Sequence, residues 1–163
     1  MSLDASADTW LELPTRRATR QLGRALARAL GPGDVVILSG ALGAGKTFLV
    51  RAICRGLGLD PSARVVSPTF TLIRELDTVP RVAHADLYRL ARAEDAYELG
   101  LSELRERGMA LLVEWGEPHA EAMGPDRLTL AIQLNPRRAR LVADGPRSEA
   151  LRRGVVAALA PAP

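Results

Sequence analysis

One cysteine, Cys54, occurs in 163 residues. An internal disulfide is therefore impossible, and so is a thiolate zinc cluster. Cys54 falls on a helical pattern where a small buried side chain is the ordinary occupant. Aromatic residues are equally sparse, with two each of Trp, Tyr and Phe, which leaves few stacking platforms for single-stranded RNA. No apolar run reaches the length of a bilayer span. Met1 to Leu13 lacks the basic start and unbroken apolar stretch of a secretory leader, so a cytoplasmic protein without membrane contact is expected. Lysine is nearly missing as well: apart from Lys46 every cationic side chain is arginine.

What remains is a balanced globular composition, 47% hydrophobic and 25% charged. The length suits one domain with a real core and is too short for a large multidomain motor. We expect a single domain over 1–163, with flexible ends at 1–8 and 161–163. A formal charge of +3 and an isoelectric point near 9.7 permit nucleic-acid contact without requiring it. No internal repeat divides the chain.

The solitary lysine lies in Gly40-Ala41-Leu42-Gly43-Ala44-Gly45-Lys46-Thr47, which fits the phosphate-binding loop pattern. Glycines let successive N–H groups turn inward around an oligophosphate. Lys46 adds a full positive charge, Thr47 offers a hydroxyl to magnesium, and the helix that starts there aims its positive end at the same anion. An arginine fork is bulkier than an ammonium and enters a ring of amides poorly, so the one retained lysine is meaningful. The context agrees. Val35 to Ser39 reads as a buried parallel strand, and Phe48, Leu49, Ala52, Ile53 and Leu57 recur at helical spacing afterwards.

The flanking chain supplies the rest of an α/β fold. A short edge strand is predicted over Thr9 to Leu13. A helix capped by Thr15 is predicted to run to Leu30, with Ala18, Leu22, Ala25, Leu26 and Ala29 on one face and Arg16, Arg17, Arg20, Arg24 and Arg28 on the other. Val65 to Ile73 reads as extended, with Pro68 favouring a loop that presents Ser67 and Thr69 toward a γ-phosphate or its metal. Val82 to Asp86 and Ala110 to Val113 read as apolar strands that deliver Asp86 and Glu114 at their carboxyl ends, where ligands of open α/β sheets collect. Helical segments are predicted around 94–106. Arg127 to Leu134 and Arg138 to Asp144 alternate like antiparallel strands, and a last helix is predicted from about Ser148 to Leu159.

These parts describe a P-loop NTPase of three layers with a mixed, mainly parallel central sheet. Phosphoryl transfer needs mainly positioning and charge neutralisation, so Mg2+-dependent nucleotide hydrolysis is the expected chemistry. Lys46, Asp86, Glu114 and Thr69 are the candidate catalytic residues. Gly43, Ala44, Gly45 and Lys46 hold phosphates, with Phe48 beside them, and Thr47, Glu114 and Asp86 are the candidate metal ligands. The residues leave open which acid holds metal and which orients water, with Glu114 favoured near both. Guanine readers use an Asn-Lys-x-Asp loop, and the single lysine is already committed, which argues for ATP. A small-molecule kinase is the competing enzyme class, and a protein that holds ATP as a structural ligand is the non-enzymatic alternative.

The order of motifs resembles the TsaE family, also called YjeE. The matching stretches are Thr19 to Gly23, Gly40 to Thr47, Ser67 to Leu72, His84 to Leu90, Gly100-Leu101 and Glu114-Trp115. The resemblance implies ATP at the loop, metal near Thr47 and Glu114, and an essential Asp at Asp86. It further implies nucleotide contacts from the region of Arg16 to Thr19 and from Arg137. Partners implied are TsaD and TsaB, whose threonylcarbamoyl transfer to tRNA this ATPase would support, meeting tRNA only through the complex. Ala41 stands where the family commonly has Asp, and Pro136 where it commonly has Gly.

Overall fold

The apolar strands send alternate side chains into two separate cores, and that alternation sets the layering. The computed structural model describes residues 10–160. The expectations for 1–8, for Thr9 as the start of the first strand and for 161–163 lie outside the described residues. In chain order the elements are β1 (Trp10–Glu12), α1 (Arg16–Ala29), β2 (Val35–Ser39), α2 (Lys46–Gly56), β3 (Ile73–Leu76), β4 (Val82–Asp86), α3 (Ala93–Glu98), α4 (Leu101–Glu106) and β5 (Ala110–Glu114). A 3₁₀ helix over Glu117–Met123 follows, then β6 (Leu128–Gln133), β7 (Arg138–Ala143) and α5 (Pro146–Leu159).

All seven strands join one sheet in the order β1-β7-β6-β2-β5-β4-β3. Its centre, β6-β2-β5-β4, is parallel throughout, and both flanks close with antiparallel pairs. The sheet is mixed, with the parallel part where the loop and both acids are attached. Val36, Leu38, Leu112 and Leu130 face α1, α2 and α5, whereas Val35, Ile37, Leu111 and Val113 face Leu101, Met109 and Met123. Helices on both faces complete three layers. Each large side chain buried in these cores contributes about 1.5–3 kcal/mol.

Local signals account for the element ends. Thr15 caps α1 by accepting from the Ala18 N–H at 3.1 Å, and Leu22, Ala25 and Leu26 form the buried stripe, with Ala18 and Ala29 partly buried beside it. The extended segment predicted over Val65 to Ile73 is corrected: residues 65–72 form a loop and turn, and β3 begins only at Ile73. Pro68 withholds an N–H, and Leu72 adopts φ 63°, so no ladder is possible there. Instead the Leu72 N–H returns to the Pro68 carbonyl at 2.8 Å. Helix α5 starts at Pro146, ahead of the predicted Ser148, since proline is well suited to a first helical turn. Among the described residues no helix is long and apolar enough to cross a membrane.

Candidate functional site

The parallel strands end at one edge of the sheet, and the loop between β2 and α2 folds over that edge. Gly45 turns the loop into α2 with φ 97°, a left-handed conformation that glycine adopts freely. A Cβ there would also lie 2.7 Å from the Arg137 guanidinium. Arg137 reaches the loop from the β6-β7 turn and donates to the Ala44 carbonyl at 2.7 Å. Ala44 is itself buried.

Lys46 is 4% exposed although it begins a helix. Its ammonium donates to the Gly40 and Ala41 carbonyls at 2.6 and 2.9 Å and stands 4.1 Å from the centroid of the Trp115 ring, a cation–π contact in a desolvated setting. Burial lowers its pKa from 10.5, and the carboxylates of Glu114, Glu117 and Asp86 oppose that shift. Trp115 adopts φ 59° directly after β5, which turns its ring toward Lys46 and onto Tyr88, 4.9 Å away between centroids.

Register brings the two acids together. Asp86 and Glu114 are paired positions at the ends of β4 and β5, and both are nearly buried. Glu114 sits beside α2: the Thr47 hydroxyl lies 2.9 and 3.1 Å from its two oxygens. His84 Nε2 lies 2.8 Å from Glu114 Oε1, reaching it from within β4, and a ring N–H there donates to the carboxylate. Asp86 takes different partners, accepting from the Ser67 hydroxyl and from the Tyr88 N–H at 3.0 Å.

Lys46, Thr47, Ser67, Asp86 and Glu114 line one cleft of about 450 Å³. Of the residues predicted from sequence, Gly43, Gly45, Lys46, Thr47, Phe48, Thr69, Asp86 and Glu114 line it. Ala44 and Arg137 support the loop from behind. The Arg16 guanidinium stands 5.9 Å from the Phe48 ring, at the side of the cleft. Thr19 is not brought to the cleft: it is 1% exposed, and its hydroxyl donates to the Thr15 carbonyl at 3.4 Å. Trp115, Tyr88 and Arg89 also line the cleft, and sequence reasoning gave them no role. A signal for them existed, since each directly follows a strand that ends in a chosen acid or lies within three residues of its end. His84 was read as a strand residue and as part of a matching stretch, with no role of its own; its place two positions before Asp86, on the same strand face, was the available clue.

The donor set fits magnesium and phosphate. Among the described residues no three His, Cys, Asp or Glu side chains form a self-sufficient metal cage. A magnesium ion would take one or two carboxylates together with the oxygens of a bound phosphate, and Thr47, Glu114 and Asp86 present a matching set of hard oxygens.

Fold and site together define a P-loop NTPase fold, with the phosphate loop and two acids at the carboxyl edge of parallel strands. Comparison with known proteins narrows this further. Residues 13–142 match the family model described as "Threonylcarbamoyl adenosine biosynthesis protein TsaE", so the chain belongs to the TsaE family. A relative from Streptomyces coelicolor, a tRNA threonylcarbamoyladenosine biosynthesis protein TsaE, is 43% identical over 69% of this chain and 77% of its own. One of the same name from Bacillus subtilis is 38% identical, covering 71% of each chain. The crystal structure of Bacillus subtilis YdiB superposes with a TM-score of 0.78 at 30% identity, covering 91% of this chain and 94% of that one. The family's role is in tRNA threonylcarbamoyladenosine biosynthesis.

Proposed function

We propose that the protein is a magnesium-dependent ATPase of the threonylcarbamoyladenosine pathway, whose hydrolysis of ATP supports repeated turnover of a TsaD and TsaB transferase. The observation that carries this reading is the Thr47 hydroxyl on the Glu114 carboxylate, beside an ammonium held in the mouth of the loop. That pairing joins the metal-directed hydroxyl of a phosphate loop to an acid on the neighbouring parallel strand, as nucleotide hydrolases require.

In this reading Gly43, Gly45 and Thr47 turn backbone N–H groups toward the phosphates, Ala44 holds the loop closed through its own N–H on the Ala41 carbonyl, and Lys46 exchanges its carbonyl partners for phosphate oxygens. Thr47 and Glu114 would hold the metal, which when bound would supply positive charge against the phosphates. His84 keeps the Glu114 carboxylate oriented. Asp86, which accepts from the Ser67 hydroxyl and shares the cleft with Thr69, faces the terminal phosphate and accepts the proton of the attacking water. Arg89 and Trp115 close the cleft mouth and limit water. Arg137 stiffens the loop through Ala44, and Arg16 borders the nucleotide at Phe48. Hydrolysis by the protein alone is slow, because few of its cations reach the cleft and partner contact is needed to complete it.

The test is multiple-turnover tRNA modification with purified TsaD and TsaB, with and without this protein and its Lys46→Ala form. Turnover is expected to stop after about one cycle without the protein, and Lys46→Ala is expected to lose at least about tenfold in hydrolysis rate, since a full charge leaves the phosphate cage. Undiminished modification with Lys46→Ala overturns the reading. Appearance of labelled metabolite in place of free phosphate would assign a kinase instead.

A further inference from the structure

Helices α1 and α2 carry eight cationic side chains and no carboxylate, in a chain whose net charge is only +3. One sign of charge is therefore gathered on one layer, and the rest of the protein is net negative. The helices cross closely because small residues meet: a Cβ on Gly23 would lie 2.5 Å from the Ala52 methyl, and one on Gly56 would lie 2.6 Å from that of Ala27. This close crossing turns the arginines of both helices onto the rims of one groove.

A cavity of about 310 Å³ opens there, bordered by Arg20, Arg24, Arg51 and Arg55. On the other flank of α1 a second cavity of about 330 Å³ is bordered by Gln21, Arg24, Arg28 and the end of α5. Arg24 belongs to both, and no carboxylate lines either. Arg24 and Arg28 are exposed, and among the described residues neither has an ion pair or hydrogen bond through its side chain. Such a concentration of unneutralised guanidinium is costly to like-charge neighbours and complementary to a polyanion.

We propose that this face binds the sugar-phosphate backbone of a folded RNA directly. Arginine forks match phosphate oxygens in a bidentate manner. Arg20, Arg24 and Arg28 recur at about one helical turn, roughly 5.4 Å, so they form a row that follows a chain of phosphates. The groove between α1 and α2 is floored by Ala52 and Gly56, and offers no deep apolar seat of the kind that anchors a protein partner. Its one aromatic, Phe48, also lines the nucleotide cleft. With no stacking row and no base-reading loop beside it, the face reads backbone and not sequence. This inference is independent of whether ATP is hydrolysed.

Fluorescence-anisotropy titration of the full chain with an unmodified tRNA transcript tests it, with nucleotide binding and thermal unfolding measured in parallel. Affinity is expected to fall roughly tenfold or more between about 50 and about 200 mM salt, as displaced counterions require. The Arg24→Glu, Arg28→Glu double variant is expected to lose about tenfold or more in RNA affinity with nucleotide affinity and unfolding midpoint unchanged, and Arg24→Lys, Arg28→Lys is expected to keep most of it. RNA affinity that is undetectable at low salt, or unmoved by the double glutamate variant, overturns the proposal. So does loss of TsaD and TsaB binding in that variant without any change in RNA affinity, which would assign the face to an acidic protein surface.

Discussion

Thr47 and Glu114 stand 67 residues apart in sequence, yet the threonine hydroxyl lies 2.9 Å from Oε1 and 3.1 Å from Oε2 of the glutamate. Helix α2 contributes one partner and β5 the other. The contact exists because β2, which feeds the loop, pairs directly and in parallel with β5: Leu38 is the register partner of Glu114.

Glu114→Gln keeps the shape of this contact and removes its charge. Hydrolysis is expected to fall about a hundredfold or more, on the scale of losing a charge-stabilising group aimed at the reacting centre, while ATP is still bound. Steady-state phosphate release together with calorimetric ATP titration checks it. A variant that hydrolyses at the wild-type rate would remove Glu114 from the mechanism.

At the opposite edge of the sheet, Arg105 ties four carbonyls together, donating to Gly33 at 2.8 Å, Met123 at 3.0 Å, Pro125 at 2.5 Å and Asp126 at 3.2 Å. Arg105→Ala strands these acceptors and is expected to cost about 2–3 kcal/mol of stability. Arg105→Lys should rescue little, since an ammonium cannot span the fork. Urea unfolding measures both. Nucleotide affinity should not change, because the cleft lies across the sheet.

Gly23→Val tests the helix crossing. The position has no room for a side chain against Ala52, and overpacking of this kind costs about 1–3 kcal/mol. Unfolding midpoints report it, and wild-type stability in the variant would contradict the close crossing of α1 and α2.

Burial pushes the Cys54 thiol up from 9.0 to about 12. The folded chain therefore keeps a proton that the unfolded chain releases near pH 9, so stability from this group is present below about pH 9 and is lost progressively toward pH 12. Cys54→Ala should flatten that alkaline limb relative to the wild type. At about pH 8 an alkylating reagent should label the native thiol far more slowly than the denatured one; rapid native labelling would show that the residue is not held in the core.

Local periodicity made most of the architecture legible. The strands from Val35, Val82 and Ala110 are short apolar runs bounded by turns, and the cap at Thr15 and the face of α1 follow from residue type and spacing. The loop before β3 was harder. Val65 and Val66 look like strand residues, but Pro68 and the left-handed turn at Leu72 prevent pairing, and only the tertiary path shows Ser67 delivered to Asp86. His84 illustrates the same limit, because its role lies on a neighbouring strand.

Residue order alone already implied that a glycine-rich loop joins a buried strand to a helix, that two further strands end in acids, and that a single lysine is kept among arginines. Those features depend on contacts between residues close in the chain. The folded chain adds that Glu114 takes Thr47 and His84 while Asp86 takes Ser67, that Thr19 turns away from the cleft and that Arg137 grips the loop. Strand order and register fix those partnerships, and they are set by packing across the whole sheet, which no local pattern encodes.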